Sequence, residues 1–106
     1  MKAARFHQHG GPDVIRCEDA PDPTPGPGEV LIRVKACALN RLDMWVRQGI
    51  PAFQVPLPHI GGCDVAGLVE RVADDDAGLK SGDRVFAAPG LSCWRCEFCL
   101  SGRDNL

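Results

Sequence analysis

The alternation of apolar and polar residues predicts a chain built mainly from short β-strands. Residues 29–38 place Val, Ile, Val and Ala at alternate positions, which is the strongest strand signal in the sequence. A second strand is predicted at 2–6, and the turn residues at 10–12 place its hairpin partner at 14–18. These segments indicate antiparallel pairing early in the chain.

Two further strands are predicted in the second half of the chain. Residues 60–73 form an apolar run that opens with a glycine pair, and Gly67 within it indicates a bulge or a close backbone approach. An acidic turn is expected at 74–78, followed by a last strand at 84–88.

One short helix interrupts this pattern. Residues 41–48 are good helix formers and Gly49 follows them, which predicts a helix of about two turns. The proline-rich segments at 20–28 and 50–58 are predicted surface connections, because proline disrupts helices and central strands. The predicted fold class is mainly β: a small, mostly antiparallel barrel or folded sheet with one short helix.

The composition is that of an ordinary globular protein, and it argues against nucleic acids as partners. The 106 residues are 44% hydrophobic and 25% charged, and their formal net charge is −2. This length fits one domain or a piece of one. Nucleic-acid binding is not expected, because phosphate recognition needs clustered Lys and Arg and no run of five basic residues occurs.

No targeting or membrane segment is recognisable in the sequence. The first eleven residues lack the apolar stretch of a signal peptide, and no window reaches the length of a membrane span. We therefore expect a cytoplasmic location and no membrane partner. In that compartment the six cysteines favour metal ligands, reactive thiols or small core residues over disulfides.

Three of the cysteines, Cys93, Cys96 and Cys99, are clustered at the spacing C-x2-C-x2-C. This spacing lets successive thiolates turn toward one tetrahedral ion, and zinc is the ion that such ligands favour. A structural zinc needs four ligands, and the nearest further candidates are Asp104 and the remote cysteines. Three reduced thiols, one disulfide or an iron–sulfur cluster are the alternatives, although the next cysteine spacing of such a cluster is not filled.

Five features occur in an order that is specific when they are taken together. They are Pro-Gly-Pro-Gly-Glu-Val-Leu-Ile-Arg-Val at 25–34, Ala-Leu-Asn-Arg-Leu-Asp-Met-Trp at 38–45, Gly-Gly-Cys-Asp-Val-Ala-Gly at 61–67, Gly-Asp-Arg-Val at 82–85 and the cysteine cluster. In this order they resemble the medium-chain dehydrogenase/reductase family, in particular its zinc-binding alcohol dehydrogenase and quinone oxidoreductase branches. The resemblance implies a GroES-like, partly open β-barrel domain over 1–106, with a structural-zinc lobe that begins in 90–106.

The resemblance also implies what would follow this chain. The family's structural zinc has four cysteine ligands, and the fourth would fall at position 107, just beyond Leu106. A Rossmann domain that binds NAD or NADP follows in the family, whereas this chain contains no G-x-G-x-x-G turn. We therefore expect a chain truncated before the Rossmann domain, inactive alone, with unpaired strand edges that favour a homo-oligomer.

The resemblance does not extend to the catalytic zinc of alcohol dehydrogenases. Asn40 occupies the position of their first cysteine ligand, while Cys63 and Asp64 occupy those of their histidine and adjoining glutamate. Leu42 and Trp45 occupy the positions of the proton relay. Cys63 and Asp64 carry atoms that can bind metal, but Asn40 is a poor zinc ligand, so metal-assisted alcohol oxidation is not expected.

The zinc-free quinone reductase branch is nearer, because an asparagine followed three residues later by an aspartate recurs there. By that resemblance Asn40 offers its amide to a substrate carbonyl oxygen, and Asp43 lies behind it as the second catalytic candidate. A structural interpretation is also open, in which Asn40 is the N-cap of the predicted helix. Asp43 is then a first-turn acid or a partner of Arg41 or Arg47.

The leading functional hypothesis is an NAD(P)-dependent oxidoreductase that transfers hydride between nicotinamide and a small quinone, enone, carbonyl compound or alcohol. The alternative is a stand-alone zinc-binding β module with an interaction role, and a cysteine-based redox protein is a third class. The expected partners are a small-molecule substrate and further copies of the chain.

Overall fold

The computed structural model describes residues 1–73, 78–90 and 92–103. The acidic turn predicted at 74–78 lies outside these residues except for Gly78. The elements, in chain order, are β1 (Lys2–Phe6), β2 (Arg16–Asp19), β3 (Val30–Ala38), α1 (Arg41–Gln48), β4 (His59–Ile60), β5 (Asp64–Val72), β6 (Arg84–Ala87) and α2 (Glu97–Leu100).

The first sheet has the strand order β2-β1-β4. Strand β1 pairs antiparallel with β2 on one side and with β4 on the other. The predicted hairpin is confirmed, but its second strand begins at Arg16, because Pro12–Val14 forms a 3-10 turn. The run predicted at 60–73 is divided between the sheets: Ile60 pairs with β1, and the second sheet begins at Asp64.

The second sheet has the antiparallel order β3-β5-β6. Two shifts of register interrupt β3, one of them after Val34, which lies opposite Gly67. The backbone approaches closely here, since a Cβ at Gly67 would lie 2.2 Å from the carbonyl oxygen of Arg33. The close approach predicted at Gly67 is therefore confirmed, whereas the simple alternation predicted for 29–38 is broken by the bulges.

Helix α1 has the predicted boundaries. Asn40 precedes it with an extended backbone, and Gly49 ends it at a φ of 94°, a conformation that favours glycine. The N–H of Gly49 donates to the carbonyl of Trp45 at 2.9 Å. The C-terminal end of α1 is tied to the first hairpin, because the N–H of Gly10 donates to the carbonyl of Arg47 at 3.0 Å and the Arg47 guanidinium donates to the Gly10 carbonyl.

Helix α2, a single helical turn that follows Cys96, is not predicted from the sequence. It is only four residues long, which is too short for apolar periodicity to be visible. Within the described ranges, neither helix combines the length and apolar character that a membrane crossing requires.

The hydrophobic core is small. The buried apolar residues among those described are Ala3, Phe6, Ala20 and Val69. Large apolar side chains are instead exposed, with Leu39 at 84%, Phe86 at 80% and Trp94 at 74%. In the described part of the chain, neither three-stranded sheet closes on itself. The fold is thus mainly β and open, as predicted, and it leaves much apolar surface available for contact with other protein.

Candidate functional site

The cysteine cluster brings three sulfur atoms together. The Sγ atoms of Cys93, Cys96 and Cys99 all lie within 4.8 Å of one another, and those of Cys93 and Cys99 are 3.7 Å apart. Cys96 is the N-cap of α2, where its Sγ accepts a hydrogen bond from the backbone N–H of Cys99 at 3.4 Å. The single turn of α2 therefore places the second and third sulfurs on the same side of the chain.

The spacing of the sulfurs fits a zinc ion. Thiolates bind zinc at about 2.3 Å, so two of them on a tetrahedral ion lie about 3.8 Å apart. The separation of 3.7 Å between Cys93 and Cys99 matches that distance. Among the described residues no imidazole, carboxylate or further thiol joins the three sulfurs, and the candidate Asp104 lies outside the described ranges. The cluster therefore brings together three of the four ligands that a structural zinc would need.

Hydrogen bonds favour the thiolate form of one of these cysteines. The backbone N–H of Arg95, followed by the backbone N–H of Cys96 and the thiols of Cys96 and Cys99, lowers the pKa of Cys93 to about 7. The thiolate is the form of cysteine that binds metal. The Cys93 sulfur is therefore available as a ligand near neutral pH.

Arg103 folds the end of the cysteine lobe (residues 92–103) back over α2. Its backbone N–H donates to the carbonyl of Phe98 at 2.8 Å, and its Nε donates to Oγ of Ser101 at 3.0 Å. The guanidinium carbon also lies 5.2 Å from the centroid of the Phe98 ring, which is a cation–π contact. These contacts keep the chain that follows Cys99 close to the sulfurs.

A second group of polar residues meets where α1 begins. The carboxylate of Asp43 accepts hydrogen bonds from the backbone N–H of Asn40 at 2.7 Å and from that of Gly62 at 2.8 Å. The side-chain Nδ2 of Asn40 donates to Oδ2 of Asp64 at 2.7 Å. We call these four residues the Asn40 cluster.

Strand register brings the members of the Asn40 cluster together. Ala38, the last residue of β3, lies opposite Asp64, the first residue of β5. Asn40 follows Ala38 by two residues, so its side chain lies within reach of Asp64. Gly62 precedes Asp64 by two residues and has a φ of 99°, a conformation that favours glycine. The end of β3, the start of β5 and the loop that leads into β5 therefore meet at the start of α1.

Asn40 and Asp43 line a cavity of about 290 Å³ between the first hairpin and α1. Apolar residues such as Phe6, Ile15 and Met44 form much of its wall. Small-molecule sites are typically apolar pockets with a few polar groups, and their volumes begin at about 300 Å³. The cavity therefore suits a small and largely apolar ligand with one polar group.

The structure brings Asn40 and Asp43 into contact. Asp43 lies in the first turn of α1. Its carboxylate accepts hydrogen bonds from backbone N–H groups. The guanidinium of Arg47, the arginine suggested as its partner, donates instead to the Gly10 carbonyl. Cys63 is half-buried, and within the described ranges Cys63 and Asp64 belong to no group of three metal-binding side chains.

Two members of the cluster are missing from the sequence-based site: Gly62, and Asp64 in its role as partner of Asn40. A signal for the contact between Asn40 and Asp43 does exist, since an N-cap residue followed three positions later by an acid resembles a capping box. No short-range pattern links Asn40 to Asp64, because 24 positions separate them and only the strand register makes them neighbours.

Comparison with known proteins identifies the family of this chain. The profile of the alcohol dehydrogenase GroES-like domain matches residues 26–106. The chain therefore belongs to the alcohol dehydrogenase GroES-like domain family, and the predicted resemblance is confirmed.

Individual relatives agree with this assignment. The quinone oxidoreductase of Mus musculus is 37% identical over 107 residues, which cover 100% of this chain and 32% of that protein. The crystal structure of an NAD-dependent alcohol dehydrogenase matches with a TM-score of 0.93 at 50% identity, covering 100% of this chain and 31% of that one. A thermostable alcohol dehydrogenase from Pyrobaculum aerophilum, with bound cobalt and zinc, gives a TM-score of 0.89 at 40% identity and covers 100% and 32%. The chain thus spans about a third of the length of these relatives.

Proposed function

We propose that this chain is the substrate-side domain of a cytoplasmic NAD(P)-dependent oxidoreductase, with a structural-zinc lobe that begins in 90–106. The reaction is hydride transfer between nicotinamide and a small quinone, enone, carbonyl compound or alcohol. The observation that carries the proposal is the amide of Asn40, which lies at a small apolar cavity and is held by Asp64. The matches to a quinone oxidoreductase and to alcohol dehydrogenases support the same class of reaction.

In this proposal Asn40 orients and polarises the substrate. A side-chain amide has two N–H groups, of which one donates to Asp64. The second can donate to the carbonyl oxygen of a quinone or enone and stabilise the negative charge that develops there. The nicotinamide supplies the hydride when it is bound, and this chain has no glycine-rich turn for its pyrophosphate. Activity is therefore expected from the full-length protein and not from this domain alone.

The proposal includes one structural zinc and no catalytic zinc. Cys93, Cys96 and Cys99 would hold the structural ion together with a ligand from outside the described residues. At the Asn40 cluster the available donors suit a catalytic zinc poorly, because an amide is a weak zinc ligand and the Asp64 carboxylate already binds Asn40. Polarisation of the substrate is therefore assigned to an N–H group and not to a metal.

The test of the proposed function is Asn40→Ala in the full-length natural protein, with Gln48→Ala on the same helix as the control. We expect Asn40→Ala to lower kcat for a quinone or enone about a hundredfold, since it removes a donor to the developing oxyanion. Binding of NADPH and zinc content should stay at the wild-type level, and Gln48→Ala should preserve all three properties. Equal loss of turnover and of NADPH binding would contradict the proposed role and indicate a structural residue.

A second candidate function, that of an interaction module, is favoured by the exposed apolar side chains. Phe86 lies on β6, an edge strand of the second sheet, and is 80% exposed. Together with Val65 and Ala87 it lines an open apolar trough of about 470 Å³. Exposed apolar surfaces of this kind mark contact sites, and we propose further copies of the chain as the partner.

Sedimentation measured over a range of protein concentrations tests this association. We expect reversible oligomers, and a shift toward monomer for Phe86→Ser, because the change removes apolar area from the trough. Trp94→Ser in the cysteine lobe is the matched control, since it also removes an exposed aromatic side chain. A protein that stays monomeric at every concentration would exclude copies of the chain as partners at this surface.

A further inference from the structure

We propose that Asp64 is a positioning residue that fixes the orientation of the Asn40 amide toward the cavity. The inference rests on the proposed function and deepens it, because it names the group that prepares Asn40 for the substrate. It also gives Asp64 a role other than that of metal ligand, for which its position in the sequence makes it a candidate.

The contact itself determines which way the amide faces. Oδ2 of Asp64 lies 2.7 Å from Nδ2 of Asn40. An ionised carboxylate only accepts hydrogen bonds, so the NH2 group and not the amide oxygen must face Asp64. A hydrogen bond to an ionised acceptor is also stronger than one between neutral groups. The other N–H and the amide oxygen of Asn40 consequently keep fixed directions. This second N–H stays available to donate to the carbonyl oxygen of a substrate.

The backbone of Asn40 is held by a different carboxylate. Asp43 accepts from the backbone N–H of Asn40 at 2.7 Å and from that of Gly62 at 2.8 Å. Loss of Asp64 should therefore remove the hydrogen bond that orients the NH2 group of Asn40 without releasing the start of α1. Asp43 thus holds the backbone of Asn40 in place, and Asp64 orients the side-chain amide of Asn40.

Asp64 is well anchored for this role. It is the first residue of β5, pairs with Ala38 of β3, and is half-buried. A functional group held by a side chain on a strand is positioned more accurately than one held by a loop. The Asp64 carboxylate therefore holds the exposed side chain of Asn40, at the N-terminal end of α1, in a fixed position relative to the second sheet.

Three variants test the inference in the full-length natural protein: Asp64→Ala, Asp64→Asn, and Asp19→Ala as a surface carboxylate control. Asp64→Ala should lower kcat for a quinone or enone roughly tenfold, because it removes a hydrogen bond to a charged group. The KM for NADPH should be unchanged. Asp64→Asn should recover most of the turnover, because its amide oxygen can still accept from Asn40. Asp19→Ala should behave as wild type.

Side-chain amide signals in 15N–1H NMR spectra test the contact without any assay of activity. In the wild-type protein, one of the two Asn40 amide protons should be shifted downfield by the Asp64 carboxylate, relative to the amide of a free asparagine side chain. That shift should disappear in Asp64→Ala and persist in Asp19→Ala. Unshifted signals for both Asn40 amide protons in the wild type would overturn the inference, even if Asp64→Ala did not fold.

The outcomes distinguish this inference from the proposed function. If Asn40→Ala lowers turnover and Asp64→Ala does not, Asp64 is not a positioning residue and the role of Asn40 stands. If neither change lowers turnover, the role of Asn40 in the proposed function is wrong, and the positioning role falls with it. If Asp64→Asn is as impaired as Asp64→Ala, the carboxylate acts by another route and the inference is also overturned.

Discussion

Oδ1 of Asp43 accepts a hydrogen bond from the backbone N–H of Gly62 at 2.8 Å, which ties the first turn of α1 to the loop that leads into β5. The other oxygen of the same carboxylate binds the N–H of Asn40. A single side chain thereby fixes two backbone segments that lie 22 positions apart in the sequence, as the numbers of Asn40 and Gly62 show. It also gives Asp43 a structural role that is compatible with a place beside the substrate.

Replacement of Asp43 should therefore destabilise the fold. Asp43→Ala leaves two backbone N–H groups without their acceptor, and we expect the free energy of unfolding to fall by about 2 kcal/mol. Urea unfolding measures the change. Asp19→Ala is the control, because the Asp19 carboxylate forms an exposed ion pair with Lys2, and such pairs contribute little. Equal stability of the two variants would show that the Asp43 contacts are not formed in solution.

Gly67 should tolerate no side chain. A Cβ at this position would lie 2.2 Å from the Arg33 carbonyl oxygen, which belongs to the backbone of the neighbouring strand and cannot move aside. We expect Gly67→Ala to cost about 3 kcal/mol of unfolding free energy. Gly90→Ala is the matched control, because a Cβ added there would meet none of the described residues within 4 Å beyond its chain neighbours. A melting temperature for Gly67→Ala close to that of Gly90→Ala would contradict the close approach between β3 and β5.

The sequence was informative wherever neighbouring residues determine the structure. Helix α1 has its predicted boundaries because an N-cap asparagine and a terminal glycine are local signals. Gly67 is also predicted, since a glycine within an apolar strand marks crowded backbone. The contact between Asn40 and Asp64 depends instead on strand register across 24 positions, which no local pattern encodes. The bulges in β3 have the same origin, because they arise from pairing with β5 and not from the β3 sequence alone.

Zinc binding should depend on the clustered cysteines and not on the others. We expect one zinc per chain in the full-length protein, and at least a tenfold loss of zinc affinity in Cys96→Ser, because the hydroxyl is a poor substitute for a thiolate ligand. Cys17→Ser removes an exposed thiol on β2 and should leave the zinc content unchanged. Metal analysis of purified protein measures both. Full zinc occupancy in Cys96→Ser would remove Cys96 from the ligand set.

Glu18 should contribute a pH-dependent part of the stability of the first hairpin. Its carboxylate binds Nε2 of His7 at 2.6 Å and the guanidinium of Arg5. These hydrogen bonds, first that of His7 and then that of Arg5, lower the pKa of Glu18 below its ordinary value of 4.5. A carboxylate with a lowered pKa in the folded state stabilises the fold above its unfolded pKa. That stabilisation is lost as the pH falls through the folded value.

Unfolding of Glu18→Gln by urea at neutral pH and in acid tests this dependence. The variant should be less stable than wild type at neutral pH, and the difference should shrink as the acid protonates Glu18 in the wild type. His7→Ala should reduce the same difference, because it removes the first of the two partners. A constant difference between wild type and Glu18→Gln across this pH range would mean that the hydrogen bonds to the Glu18 carboxylate do not form.

In the described part of the chain, the two sheets have no strand in common. The hydrogen bonds of each sheet can therefore open independently of the other sheet. Amide hydrogen exchange should accordingly show β1 and β5 in two different cooperative units. The cavity takes part of its wall from β1 through Phe6 and part from the segment after β3 through Asn40. Small changes in the angle between the units would alter the volume open to a ligand, so a ligand that fills the cavity should slow exchange in both units together.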